Sequence, residues 1–183
     1  LWHFIRCRKR KHTKIAKEIV KELNLKISSQ ELFNDWRDNY FKIENKVFSD
    51  QTPFKTIKKM NLESLSLTFD KFSINKSSSK FVERLFKLWS FPKLFAGTKN
   101  ILNLLNKDFI LGILSNTDNN TLFSAINHNK IKIDHIFTSK NAKSYKPNKY
   151  IFVNACNILN LISKDVIYIY RQFFKRYYWR KKM

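Results

Sequence analysis

Apolar positions recur at helical spacing through the first half of the chain and collapse into short continuous runs in the second. In residues 14–25, Ile15, Ala16, Ile19, Val20 and Leu23 share one face, which predicts an amphipathic helix. Ser28 followed by Glu31 has capping-box spacing, and Leu32, Phe33, Trp36, Tyr40 and Ile43 continue from it in helical register. From Phe54 to Trp89 the pattern stays helical, with a break at the polar stretch Asn75–Ser79. A short helix is predicted over Lys99–Asn106, and then the period changes. Phe109–Leu114 (FILGIL) is unbroken and apolar, as in a strand buried on both faces of a parallel sheet. A helix over about 120–129 follows, then a strand at His135–Thr138, a polar loop ending in YKPN, a helix near 149–160 and a last strand at Val166–Tyr170. Strand and helix alternating in this way predict an α/β, Rossmann-like parallel sheet, here preceded by an all-helical module.

Charge complicates this ordinary picture. The 183 residues carry 36 Lys and Arg against 14 Asp and Glu, a net +22, which by itself suggests nucleic acid or an anionic membrane surface. Aromatics interleaved with Lys and Arg in RCRKRKH and RQFFKRYYWRKK could stack on bases or lie on a bilayer, so a basic binding protein is the alternative reading. The bias has a second source, because Lys, Asn, Ile and Phe all have A/T-rich codons. With 43% hydrophobic residues the chain is not disordered as a whole. No apolar run reaches the length of a spanning helix, and the start, with its charge after the apolar part, is not a signal peptide. Cys7 and Cys156 are too few for a disulfide framework, and His3, His12, His128 and His135 lack metal-ligand spacing. The expected compartment is a reducing cytoplasm.

Ligands of open α/β sheets bind at the carboxyl ends of the strands. Ser115 and Asn116 directly follow FILGIL, where a hydroxyl and backbone N–H groups can hold an anionic oxygen. Lys146, before Pro147 in the loop after the next strand, could neutralise a carboxylate or phosphate there. In this order and spacing, ILSNTDNN, FTSKNAKSYKPNKYIFVNAC and DVIYI resemble the core of the haloacid dehalogenase-like (HAD) hydrolase superfamily, over roughly residues 14–169. The resemblance implies a Rossmann-like core at 93–169 with an α-helical cap inserted at 14–92, flanked by aberrant basic segments at 1–13 and 170–183. It also implies that Ser115 and Asn116 bind the oxygens of the transferring group and that Lys146 balances the charge of nucleophile and substrate. Trp36-Arg37 is similar to the Trp-Arg pair on the cap helix of 2-haloacid dehalogenases, which would place Arg37 at the leaving halide.

The same resemblance exposes what the ends lack. The family's first motif is an Asp nucleophile in Asp-x-x-Gly-Thr-Leu, and its fourth supplies the acids that hold Mg²⁺ in phosphatase members. Neither stands in this sequence, and residues 170–183 contain no acid. Read one nucleotide later, the codons of Trp2-His3 and of Trp179-Arg180 must each yield Gly. Permitted codons then turn Leu1–His12 into YGTLLDVEKENT, the tail of the first motif, and Tyr170–Lys182 into IGNSLKDIIGAKK, which resembles the fourth. The expectation is therefore a frameshifted hydrolase, inactive as it stands. Its intact parent is a Mg²⁺-dependent phosphatase of a small phosphate ester or, alternatively, a metal-free 2-haloacid dehalogenase. On that reading this chain binds no metal and nucleic acid is not its partner. The two flanks supply eleven of the twenty-two net charges.

Overall fold

The computed structural model describes residues 8–169. Four helices come first: α1 (Arg8–Glu22), α2 (Ser29–Phe48), α3 (Ile57–Lys71) and α4 (Ser79–Ser90). The first begins at Arg8, ahead of the predicted Lys14, and carries helical backbone into the segment read as aberrant. Ser28 is the N-cap of α2, its hydroxyl accepting from the Glu31 N–H as the spacing predicted. Leu32, Phe33, Trp36, Tyr40, Ile43 and Val47 line the buried face of α2, and Phe81, Val82, Leu85, Phe86 and Trp89 that of α4. With Ile15, Ala16 and Ile19 of α1 and Met60, Leu65 and Phe69 of α3 they form one apolar core.

Asn61, Ser64 and Thr68 of α3 are fully buried in this core, and each is hydrogen-bonded. Asn61 donates to the Ile57 carbonyl and Ser64 to that of Asn61, and the single hydroxyl hydrogen of Thr68 has the Ser64 carbonyl and the Asp35 carboxylate each 3.0 Å away as acceptors. The Trp36 indole N–H donates to Ser64 Oγ at 3.1 Å. Burial without such partners would cost about 1–3 kcal/mol per group, so the stripe specifies how α2 and α3 pack.

The second half alternates as predicted, in the order α5 (Thr98–Leu105), β1 (Gly112–Ser115), α6 (Asn119–Asn129), β2 (His135–Thr138), α7 (Ser139–Ala142) and α8 (Lys149–Ile158). The strands are parallel, Gly112 opposite His135 and Ser115 opposite Thr138. An α/β core with a helical module ahead of it is thus the observed architecture. Two strand expectations are corrected. The FILGIL run is not a strand buried on both faces: pairing starts at Gly112, β2 reaches only its last three residues, and Phe109 and Ile110 are 58% and 75% exposed. Val166–Ile169 forms no strand, since no described residue pairs with it, and Ile167 and Ile169 are 82% and 80% exposed; Tyr170 lies outside the described residues. The buried core of this half is small, with Ile113, Leu122, Ile126 and Ile131 at its centre. No helix among the described residues is long and apolar enough to cross a membrane.

Candidate active site

Parallel pairing of β1 with β2 brings the loops after both strands to one end of the sheet, and there three of the four predicted residues meet. Ser115, the last residue of β1, is 1% exposed, and its hydroxyl accepts from the Thr117 N–H at 3.2 Å. Asn116 holds the backbone of Lys146 from both sides: its Oδ1 accepts from the Lys146 N–H at 2.8 Å, and its Nδ2 donates to the Lys146 carbonyl at 3.1 Å. Its own carbonyl accepts from Ser139 Oγ at 2.9 Å. The side chain predicted to touch substrate oxygens therefore fastens one loop to the other.

The Lys146 amine donates to the Leu114 carbonyl at 2.8 Å and to the Tyr168 hydroxyl at 3.1 Å, with the Tyr168 ring 5.6 Å away. Desolvation holds the amine below the ordinary lysine range. A cation placed against two neutral acceptors at a strand terminus is suited to an incoming anion. A cleft of about 630 Å³ lies between residues 47–54 and Lys143, Ser144, Tyr145, Pro147 and Asn148 of the same loop, and Lys146 is not in its lining. The fourth predicted residue stands elsewhere. Arg37 lies on the solvent side of α2, 42% exposed, and its guanidinium pairs with Asp38 at 2.8 Å.

Two residues that sequence reasoning missed join the halves. Asp118 precedes α6 at the position of a helix cap, but its Oδ2 accepts instead from the Lys58 N–H in the first turn of α3, at 3.1 Å. Its Oδ1 and the neighbouring Thr117 Oγ1 are buried without a partner. Tyr145 reaches from the Lys146 loop into the core of the helical module. In the sequence, Asp-Asn-Asn and Ser-Tyr-Lys-Pro read as cap and loop, and no periodicity marks either side chain as buried.

Burial pushes the Asp118 carboxyl above its ordinary range, against the pull of the Lys58 and Ile57 N–H groups. A raised folded-state value means that the group contributes most below its unfolded value and loses that contribution as pH rises through the folded one. Asp118→Asn keeps an acceptor for Lys58 and removes the charge. Urea denaturation should find the variant at least as stable as the parent near about pH 7, its advantage shrinking toward about pH 4 as Asp118 takes up a proton. An advantage that grows on acidification would contradict the assignment.

A model of the haloacid dehalogenase-like hydrolase family matches residues 13–170. The chain belongs to that family. Among solved structures, the haloacid dehalogenase-like fold recurs in L-2-haloacid dehalogenase PA0810, at 20% identity and a TM-score of 0.62 over 82% of this chain and 66% of that one. The defluorinating L-2-haloacid dehalogenase Rha0230 is similar at 18% identity and a TM-score of 0.65, over 84% and 64%. The HAD-hydrolase YfnB from Bacillus subtilis, bound to magnesium and showing interdomain movement, is similar at 12% identity and a TM-score of 0.63, over 82% and 67%. The chain thus spans just under two thirds of the two dehalogenases. No curated protein sequence matches it. The helical module α1–α4 ahead of the α/β core agrees with the helical cap of that fold. Mg²⁺ does not fit the residues at hand. No three His, Cys, Asp or Glu side chains cluster among the described residues, and Asp118 is turned toward α3.

Proposed function

We propose that this chain derives from a cytoplasmic phosphatase acting on a small phosphorylated metabolite, and that it is inactive because the out-of-frame flanks lack the first and fourth motifs. The observation that carries this reading is the Lys146 amine, held at the carboxyl end of β1 beside Ser115 and clamped there by Asn116. In the intact parent, an aspartate oxygen attacks phosphorus while the ester P–O bond breaks. The alcohol departs with a proton, and water then cleaves the aspartyl phosphate, releasing phosphate and the carboxylate. Lys146 offsets the negative charge that nucleophile and substrate bring together, and Ser115 donates its hydroxyl hydrogen to a phosphoryl oxygen.

The likeness to two L-2-haloacid dehalogenases favours a second reading, hydrolysis of a 2-haloacid. The outward-facing Arg37, paired with Asp38, supports the phosphatase instead, because the halide-binding role needs that guanidinium over the strand ends.

The nucleotide sequence tests the frame proposal directly. Stop codons or unrelated residues in the shifted frame at either end would overturn it. A protein restored in frame, with the codons upstream of Leu1, should release phosphate from p-nitrophenyl phosphate only when Mg²⁺ is supplied. Chloride release from 2-chloropropionate without metal would instead establish the dehalogenase.

A further inference from the structure

Tyr145 and Lys146 are neighbours in sequence that serve opposite halves of the molecule. Lys146 reaches the end of β1, whereas Tyr145 is 5% exposed and belongs to the buried cluster of the cap, the one member of it beyond Trp89 among the described residues. Its ring stacks on Phe48 (centroids 4.6 Å apart, planes at 22°) and on Phe54 (5.1 Å, 23°). Its hydroxyl donates to the Lys55 carbonyl at 2.6 Å. Phe48 ends α2, and Phe54 and Lys55 lie in the α2–α3 connection, so all three contacts are with the cap. On the core side, the other end of this dipeptide is fixed by Asn116.

We infer that Tyr145 is a positioning residue for Lys146: the aromatic pair of the cap grips its ring and thereby holds the amine at the end of β1. Seating of the cap and placement of the amine are then one event, and a cap that swings away takes the loop with it. The inference rests on the reading of Lys146 as the charge-balancing amine. Burial also raises the Tyr145 phenol above its ordinary range, so it stays a neutral donor to Lys55. The titratable group facing the Lys146 amine among the described residues is the Tyr168 phenol.

A residue that merely fills the cap core would alter stability and leave the Lys146 amine alone. The amine itself is therefore the readout. The full chain is acetylated with limiting acetic anhydride across a pH series, and Lys146 is followed by peptide mass spectrometry against the exposed lysines. Below the midpoint, each unit of upward shift slows acetylation about tenfold. Tyr145→Phe, which keeps the stacked ring, should reproduce the parent profile. Tyr145→Ala should release the loop to water and raise the midpoint toward that of an exposed lysine. Phe54→Leu, which removes one stacking face and preserves bulk, should raise it part of the way, and it serves where Tyr145→Ala does not fold. Val82→Ala, a truncation of a fully packed side chain on α4, should leave it in place. An unchanged midpoint in folded Tyr145→Ala or in Phe54→Leu overturns the inference. So does an equal shift in Val82→Ala or Tyr145→Phe. Because no turnover is measured, this outcome is separate from the phosphatase reading, which stands or falls on the frame-restored protein.

Discussion

In the frame-restored protein, Lys146→Ala is expected to lower kcat on p-nitrophenyl phosphate by about 10²–10³-fold, the range found when one preorganised charge-stabilising donor is removed. The amine is oriented before any substrate arrives: Asn116 fixes its backbone through two hydrogen bonds, and the Leu114 carbonyl fixes its nitrogen. That preorganisation is what the substitution destroys, so the loss should fall on kcat more than on KM. Lys146→Arg should rescue little. A planar fork cannot take the place of one compact ammonium between a carbonyl and a phenol without displacing one of them. The unrestored chain should show no turnover on this ester or on 2-chloropropionate. Turnover by the unrestored chain that vanished in Lys146→Ala would mean that it holds a nucleophile of its own, and the proposal of an inactive frameshifted product would fall.

How legible this site was in the sequence depended on whether a residue's role is local. Ser28 caps α2 and Glu31 follows at capping distance, so backbone chemistry within one turn revealed that boundary. The apolar stripes of α2 and α4 gave the cap core residue by residue, because burial there follows helical periodicity. The positions of Ser115 and Lys146 after successive strands could be read from the alternation, and the Lys146 amine does reach the end of β1 at the Leu114 carbonyl. Partners far apart in sequence left no such trace. Asp118 spends its carboxylate on Lys58, and Tyr145 spends its ring on Phe48 and Phe54, each across the cap–core boundary. Asn116 was expected at substrate oxygens through the family resemblance, and the sequence held no sign that its side chain makes two hydrogen bonds to the Lys146 backbone. The strand expected at Val166–Tyr170 shows the opposite failure: β-branched residues supplied the propensity, but a strand also needs a neighbour to pair with.

Trp36→Ala should cost about 3–5 kcal/mol of cap stability. The indole is 1% exposed, makes an edge contact with His12 at 4.8 Å and donates to a fully buried Ser64 hydroxyl. Alanine leaves a cavity among α1, α2 and α3 and withdraws the donor from Ser64, whereas Trp36→Phe fills most of the volume and should cost nearer 1 kcal/mol for the hydrogen bond alone. Native-state hydrogen exchange would locate the loss. The cap has a broad buried cluster and the core a small one, so amides of α2 and α3 should mark the most stable unit of the parent and those of β1 and β2 should exchange through cheaper local opening. In Trp36→Ala the protection of α2 and α3 should drop by the full amount, while β1 and β2 lose only what they borrow through Tyr145 and Asp118. Equal loss in both halves would mean that these two contacts bind cap and core into a single cooperative unit. Unchanged protection of the strands would mean that the core keeps the Lys146 loop in place without help from the cap.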